Sequence, residues 1–162
     1  MDYAVDLDPT HRVLRITVAT VLTDEACTNI YWGIKRLVFP AGPYKGSILD
    51  LTQVVDFPVS SDTIRALASN GPAVPGGGPR VIVASKPARF GLARMFELYR
   101  DSSGGKLQTV IQSLDEAYDL LKVTPQEFSV HLYRNTRAPT PRLGSNARSG
   151  ATSSATPSSS AS

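Results

Sequence analysis

The sequence predicts an α/β domain on a mixed β-sheet, in which an N-terminal antiparallel hairpin is followed by alternating helices and strands. Residues 3–7 and 12–21 are alternating apolar runs on either side of a turn-rich segment, which indicates the hairpin. Helical apolar stripes then alternate with short apolar strands, a pattern typical of parallel strand–helix–strand units. With 162 residues, 41% of them apolar, the chain can form one domain with a packed core.

The first helix is predicted to begin after Thr23, because threonine is a favoured N-cap residue and two acidic residues follow in the first turn. Apolar residues then recur at helical spacing up to Val38, and Pro40 ends the pattern. Cys27 lies on this apolar stripe, so we expect it to be a small core residue.

The remaining elements follow the same logic. Strands are predicted at three apolar runs, residues 47–51, 81–84 and 107–112. Helices are predicted from Ser60 to before Gly71, over residues 87–100, and from the capping box at residues 113–116. A second capping box at residues 124–127 predicts a short terminal helix.

The chain changes composition near Arg134. From there to the end it contains four arginines, no acidic residue and mostly Ser, Thr, Ala, Pro and Gly. Such a segment buries too little apolar surface to offset its ordering entropy. We therefore predict an α/β domain over residues 1–133 and a disordered Ser/Ala/Pro/Arg-rich tail over residues 134–162.

Charge and composition argue against several classes of protein. Thirteen basic and fourteen acidic residues in the body leave it close to neutral, which is atypical of a nucleic-acid-binding surface. The N-terminus is acidic and does not look like a signal peptide, and no run of about 20 apolar residues predicts a membrane span. A single cysteine is consistent with the cytoplasm.

No motif predicts a cofactor or a metal. Neither His11 nor His131 has a ligand-type residue three or four positions after it that would make a metal pair. The glycine-rich segment 75–79 precedes a strand and lacks the Lys-Ser/Thr of a phosphate-binding loop. Three carboxylates, Asp50, Asp56 and Asp62, could in principle serve acid–base or Mg²⁺ chemistry, but loop and cap roles are the favoured interpretation.

Several segments together resemble a known family. They are the strand Ile48–Leu51 that leads through Val54 and Phe57 to Ser60, and the later segments 90–97 (FGLARMFE) and 113–117 (SLDEA). Over about residues 1–122 the chain resembles a SpoIIAA-like domain of the STAS (sulphate transporter and anti-sigma antagonist) fold, in the STAS/SEC14-like branch of bacterial proteins. The resemblance implies a non-enzymatic interaction module without a cofactor.

The resemblance also implies a regulatory serine. In regulatory members a kinase phosphorylates a serine at the start of the second helix, and the matching residues here are Ser60 and Ser61. Val59 precedes the pair and Asp62 follows it, where the regulatory pattern has Asp and Gly. From the residues alone, the pair is N-cap material, and an anion or phosphosite at this helix start is the alternative.

Candidate contact residues lie on two helices. Trp32 lies opposite the apolar stripe of the first helix and is expected to face outwards, either beneath a covering segment or as a partner or ligand contact. The helix over residues 87–100 carries more apolar side chains than one sheet contact uses. The candidates on it are Phe90, Met95, Phe96 and Tyr99. We predict a homodimer through these residues, through Trp32, or through both.

Three functions stay open. The first is a STAS-type regulatory or interaction module that works by protein–protein contact in the bacterial cytoplasm. The second is a carrier of a small apolar ligand between helix 87–100 and the sheet, which requires an apolar cavity. The third is an enzyme with a site at the C-terminal ends of the parallel strands, in loops 52–57 and 85–90.

Overall fold

A computed structural model describes residues 2–87, Ala93 and residues 108–135. Its sheet has six strands in the order β5-β4-β3-β2-β1-β6. The strands are β1 (Tyr3–Asp8), β2 (Val13–Val18), β3 (Gly46–Asp50), β4 (Arg80–Val83), β5 (Gln108–Ile111) and β6 (Val130–Asn135). The helices within the described ranges are α1 (Asp24–Val38), α2 (Ser61–Ser69) and α3 (Leu114–Leu121), with 3₁₀ turns at Phe39–Ala41 and Pro125–Glu127. The predicted mixed-sheet α/β class is confirmed.

The opening hairpin is formed as predicted. Strands β1 and β2 pair antiparallel, with Val5 opposite Ile16. The turn between them is held by the Asp8 carboxylate, whose Oδ1 accepts the backbone N–H groups of Thr10 at 2.9 Å and of His11 at 3.0 Å. An aspartate at this position thereby satisfies turn amides that no strand partner reaches.

Strands β2 to β5 are parallel and advance in one direction across the sheet. Because each parallel crossover is right-handed, steps in one direction place all the crossover helices on one face. Accordingly α1, α2 and Ala93 contribute to one core cluster, with Val5, Ile16 and Ile82 from the sheet. Helix α3 follows the last parallel strand and packs on β3 and β4 on the opposite face of the sheet, where Tyr118 joins Ile48 and Val81. We call the first face the α1 face and the second the α3 face.

The three predicted helix starts are confirmed by their caps. The hydroxyls of Thr23, Ser60 and Ser113 each accept the backbone N–H of the residue three positions later, which is the third residue of α1, α2 and α3 respectively. Each hydroxyl replaces one of the hydrogen bonds that a helix cannot make at its first turn.

The predicted terminal helix is wrong. The capping box forms, since the Thr124 N–H donates to Glu127 Oε2 at 2.6 Å, but it opens a single 3₁₀ turn. Phe128 then enters the core of the α3 face, and the chain continues as β6, which pairs antiparallel with the outer edge of β1. Pairing with this edge gives β1 backbone groups hydrogen-bond partners that a helix here would not supply, with one register shift between Val5 and Asp6.

Two other predictions fall outside the described residues. Phe90, Met95, Phe96 and Tyr99 of the helix over 87–100 lie there, as does the tail from residue 136 onwards. The domain boundary at residues 133 and 134 stays a prediction. In the part of the chain that is described, no helix has both the length and the apolar character needed to cross a membrane.

The packing of Phe128 generates a test of the corrected C-terminal segment. Phe128→Ala should lower the free energy of unfolding by about 3–5 kcal/mol, because it opens a cavity in the core of the α3 face. Leu120→Ala on α3 is the control. Leu120 is 47% exposed, so this substitution should lower the free energy of unfolding by less than about 0.5 kcal/mol. Urea unfolding measures both, and equal losses would contradict the placement of Phe128.

Candidate functional site

An apolar cavity of about 160 Å³ lies between the sheet and the helices of the α1 face. The sheet contributes Ile16, Leu49 and Ile82, which sit opposite one another on β2, β3 and β4. Helix α1 contributes Ile30, Tyr31 and Ile34, α2 contributes Ile64 and Leu67, and Ala93 also lines the space. The wall is therefore almost wholly hydrocarbon.

One end of the cavity is polar. Ser47, Arg80 and Gln108 are in register on the adjacent strands β3, β4 and β5, and all three line the cavity. Ser47 and Gln108 are buried. We call these three residues the polar row. It lies at the N-terminal ends of the parallel strands, whereas the enzyme alternative places a site at their C-terminal ends.

The guanidinium of Arg80 is held by the loop that precedes it. Its Nη2 donates to the carbonyl oxygens of Val74, at 3.3 Å, and of Gly76. Burial lowers the pKa of Arg80 from its ordinary value. The group thus carries a charge in a partly desolvated place, with backbone dipoles on one side and the cavity on the other.

The glycine-rich loop is explained by close backbone approach. A Cβ at Gly76 would strike the carbonyl oxygen of Tyr44, and one at Gly78 would strike that of Lys45. The loop can lie this close because Tyr44 N–H donates to the Pro75 carbonyl at 2.9 Å. The glycines therefore fit the loop against the start of β3, where it can wrap the Arg80 side chain.

Gln108 differs from the other polar side chains of the core. It is only 8% exposed, and its amide nitrogen has no hydrogen-bond partner among the described residues. A buried donor without a partner costs free energy, typically about 1–3 kcal/mol. Neither Gln108 nor Arg80 was among the site residues predicted from the sequence. A signal for both was present in the sequence. Each is a polar residue at the start of a mainly apolar strand, and the alternation of side chains along the strand places it on the same face as the apolar residues that line the cavity.

The carboxylates considered for acid–base or Mg²⁺ chemistry are each bonded locally. Asp50 Oδ1 accepts the Thr52 N–H at 2.9 Å and the Thr52 hydroxyl at 2.7 Å. Asp56 accepts the N–H of Phe57 at 2.7 Å. Asp62 is exposed and lies 3.3 Å from Arg65 one helical turn on. These contacts match the favoured loop and cap interpretation.

The serine pair lies at the exposed N-terminus of α2. Ser60 is the N-cap, and its hydroxyl accepts the Thr63 N–H at 3.2 Å. The Ser60 N–H in turn donates to Asp24 Oδ1 at 2.7 Å, and this hydrogen bond is the main cause of the lowered pKa of Asp24. A carboxylate from α1 therefore already occupies the position that attracts anions, with Asp62 also in the first turn.

The outer face of α1 is aromatic and basic. Trp32 is 38% exposed, which confirms that it faces outwards, and Phe39 is 59% exposed. Phe39 keeps helical backbone angles as the C-cap of α1, so it lies two turns beyond Trp32 on the same side. The ammonium of Lys35 lies 5.2 Å from the Trp32 ring centroid. We call Trp32, Lys35, Arg36 and Phe39 the α1 outer face.

A polar network on the opposite face of the sheet was not anticipated. The buried carboxylate of Asp6 accepts from His131 Nδ1 at 2.6 Å and from Arg15 Nη2 at 3.2 Å. Arg15 also donates to the Tyr118 hydroxyl at 3.0 Å and stacks over Phe128. Burial would raise the pKa of Asp6, but its hydrogen bonds and the positive charges beside it outweigh burial and lower it.

A second histidine also has neighbours that could ligate a metal. Single ligand atoms of Asp8, His11 and Glu127 all lie within 4.8 Å of one another. His11 Nδ1 lies 2.7 Å from Asp8 Oδ2 and 3.6 Å from Glu127 Oε1. The sequence search looked only at positions after each histidine and so missed Asp8, three residues before His11, while Glu127 comes from the distant 3₁₀ turn. These ligand atoms suit a divalent cation. The hydrogen bonds and ion pairs among the three side chains also explain why they lie close together.

The chain was compared with protein families, curated proteins and solved structures. No protein-family model matches the chain, and no curated protein matches it either. Among solved structures, the chain is similar to the Bacillus cell fate determinant SpoIIAA in its phosphorylated form, with 17% sequence identity and a TM-score of 0.41. The match covers 74% of this chain and 98% of that one.

The two serines can be separated by stability. Ser60→Ala should lower the free energy of unfolding by about 1 kcal/mol, because it removes the N-cap acceptor of α2. Ser61→Ala is the matched control and should change it by less than about 0.5 kcal/mol, since Ser61 is exposed within the first turn. Denaturant unfolding of both variants measures the difference, and a larger loss for Ser61→Ala would contradict the cap assignment.

Asp6 should couple stability to pH. Its pKa in the folded protein lies below its ordinary value of 3.8, so its contribution is present above that pH and is lost as the pH falls below it. Asp6→Asn should cost roughly 2–4 kcal/mol at pH 7, since Arg15 loses its buried partner, and should flatten the acid limb of the stability profile. Asp62→Asn at an exposed site should cost less than about 1 kcal/mol. An unchanged acid limb in Asp6→Asn would contradict this assignment.

Proposed function

We propose that this chain is a non-catalytic, STAS-type interaction module of the bacterial cytoplasm that acts by protein–protein contact through the α1 outer face. The observation that carries the proposal is the exposure of Trp32 and Phe39 together on one side of a helix. Aromatic residues are enriched at the centres of protein interfaces, and basic residues such as Lys35 and Arg36 are suited to their rim.

The partner we propose first is a second copy of the chain. A closed symmetric dimer is the commonest assembly of soluble proteins, and it would cover the α1 outer face of both copies at once. Each large apolar side chain that leaves water contributes roughly 1.5–3 kcal/mol. Trp32 and Phe39 are already partly covered, so each adds only part of that amount. After the cost of association, the expected dissociation constant is in the micromolar range or higher.

Self-association can be followed with the single tryptophan. Sedimentation of the full chain between about 5 and 200 μM should show a monomer–dimer equilibrium with a micromolar dissociation constant, and Trp32 emission should shift to the blue as the dimer forms. Phe39→Lys should weaken the dimer at least tenfold, since it places a charge at the contact.

The control for this test is Val55→Lys. Val55 is more exposed than Phe39 but lies in the loop after β3, so its replacement should leave the dimer intact. A protein that stays monomeric at 100 μM with unchanged Trp32 emission would contradict self-association through this face.

A second candidate function is binding of a small ligand, and the apolar cavity of about 160 Å³ favours it. A cavity of this volume matches a single six-membered ring, since an apolar cavity of about 150 Å³ accommodates benzene. A small apolar probe such as toluene should therefore raise the melting temperature of the chain, because it binds the folded state alone.

A further inference from the structure

We propose that the cavity of the α1 face takes a small monocarboxylic acid, with its carboxylate at the polar row and its apolar body against Leu49 and Ile82. The inference rests on the ligand-binding function proposed above as the second candidate. It adds the chemical class of the ligand and the residues that select it.

The polar row has the spacing needed to hold one carboxylate. Ser47, Arg80 and Gln108 lie directly opposite one another on three adjacent strands. Neighbouring strands are about 4.8 Å apart, so their side chains on one face stand side by side. The next row along the sheet is apolar, with Leu49 beside Ile82. The polar row and the apolar row are thus two residues apart along the strands. A ligand that is polar at one end and hydrocarbon at the other can contact both rows.

The donors of the row are only partly used within the protein. Arg80 donates through Nη2 to two backbone carbonyls, and its Nε and Nη1 make no hydrogen bond to the described part of the chain. The amide nitrogen of Gln108 also has no partner among the described residues. A carboxylate offers two acceptor oxygens, and it would satisfy the guanidinium fork and the amide together.

The described residues that line the cavity supply no negative charge to the row. They include no aspartate and no glutamate, so none of them neutralises Arg80. An anionic ligand would supply a compensating charge in this partly desolvated place, where a charge-assisted hydrogen bond is stronger than in bulk water. A neutral apolar ligand would leave both the charge and the Gln108 amide unpaired.

The volume limits the apolar body. A cavity of about 160 Å³ accommodates one ring or a chain of about six carbons. Benzoate is therefore a suitable probe, and toluene is its uncharged counterpart of nearly the same shape. The difference between their affinities isolates the contribution of the carboxylate.

Calorimetry on the full chain tests the proposal with these two probes. Benzoate should bind at least tenfold more tightly than toluene. Gln108→Leu should remove most of that preference, weakening benzoate about tenfold while leaving toluene unchanged, because a hydrogen bond to a charged group is lost. The variant should be as stable as the unmodified chain or more so, since it replaces a buried amide that has no protein partner.

Two further variants complete the design. Arg80→Met keeps an apolar stem and should abolish the preference for benzoate, although the lost contacts to the loop can also lower its stability. Gln112→Leu makes the same chemical change at an exposed position just beyond β5 and should bind both probes like the unmodified chain. It detects any effect of the substitution that does not arise in the cavity.

The outcomes separate the two proposals. If toluene binds and benzoate binds no more tightly, the carboxylic-acid inference is overturned while the ligand-binding function stands. If neither probe binds at millimolar concentration, both are overturned. If benzoate binds Gln108→Leu as tightly as the unmodified chain, the polar row does not select the ligand and the inference fails.

Discussion

The structure depends on four parallel strands that step across the sheet in a single direction. Each crossover is right-handed, so α1 and α2 are placed on one face, and Ala93 joins the same core cluster. These groups share one sheet surface. The apolar cavity lies among them, between the helices and β2 to β4. Its position is therefore a consequence of the crossover geometry.

The other face is organised by a single returning segment. After β5 the chain crosses that face as α3 and the 3₁₀ turn, and β6 then pairs with the far edge of the sheet. This route brings His131 and Arg134 to the buried carboxylate of Asp6, which also holds Arg15. The last strand is thus attached both by backbone pairing to β1 and by charged side chains. The two attachments explain why a segment with mostly exposed side chains is part of the sheet.

Helix α1 takes part in both proposed functions. Its buried side supplies Ile30, Tyr31 and Ile34 to the cavity wall, and its opposite side carries Trp32 and Phe39. The rings of Tyr31 and Trp32 meet edge to face at 5.1 Å. The Tyr31 hydroxyl also donates to the Gly71 carbonyl at 2.6 Å, which ties α1 to the end of α2. The same helix therefore connects the interior of the domain to the surface proposed for partner contact.

Local sequence determined the elements whose signals are local. The hairpin, the three capped helices and the outward placement of Trp32 follow from periodicity and from the cap residues Thr23, Ser60 and Ser113, because each depends on neighbours within a few positions. The same reasoning failed after Thr124. The capping box formed there, but the residues that follow pair with the otherwise unpaired edge of β1 as a strand. Likewise, the polar row joins residues 47, 80 and 108 only through strand register, and the Asp6 network joins residues 6, 15 and 131 through pairing across the sheet. Tertiary structure alone decided these groupings, since the pairing of distant strands places together residues that share no local pattern.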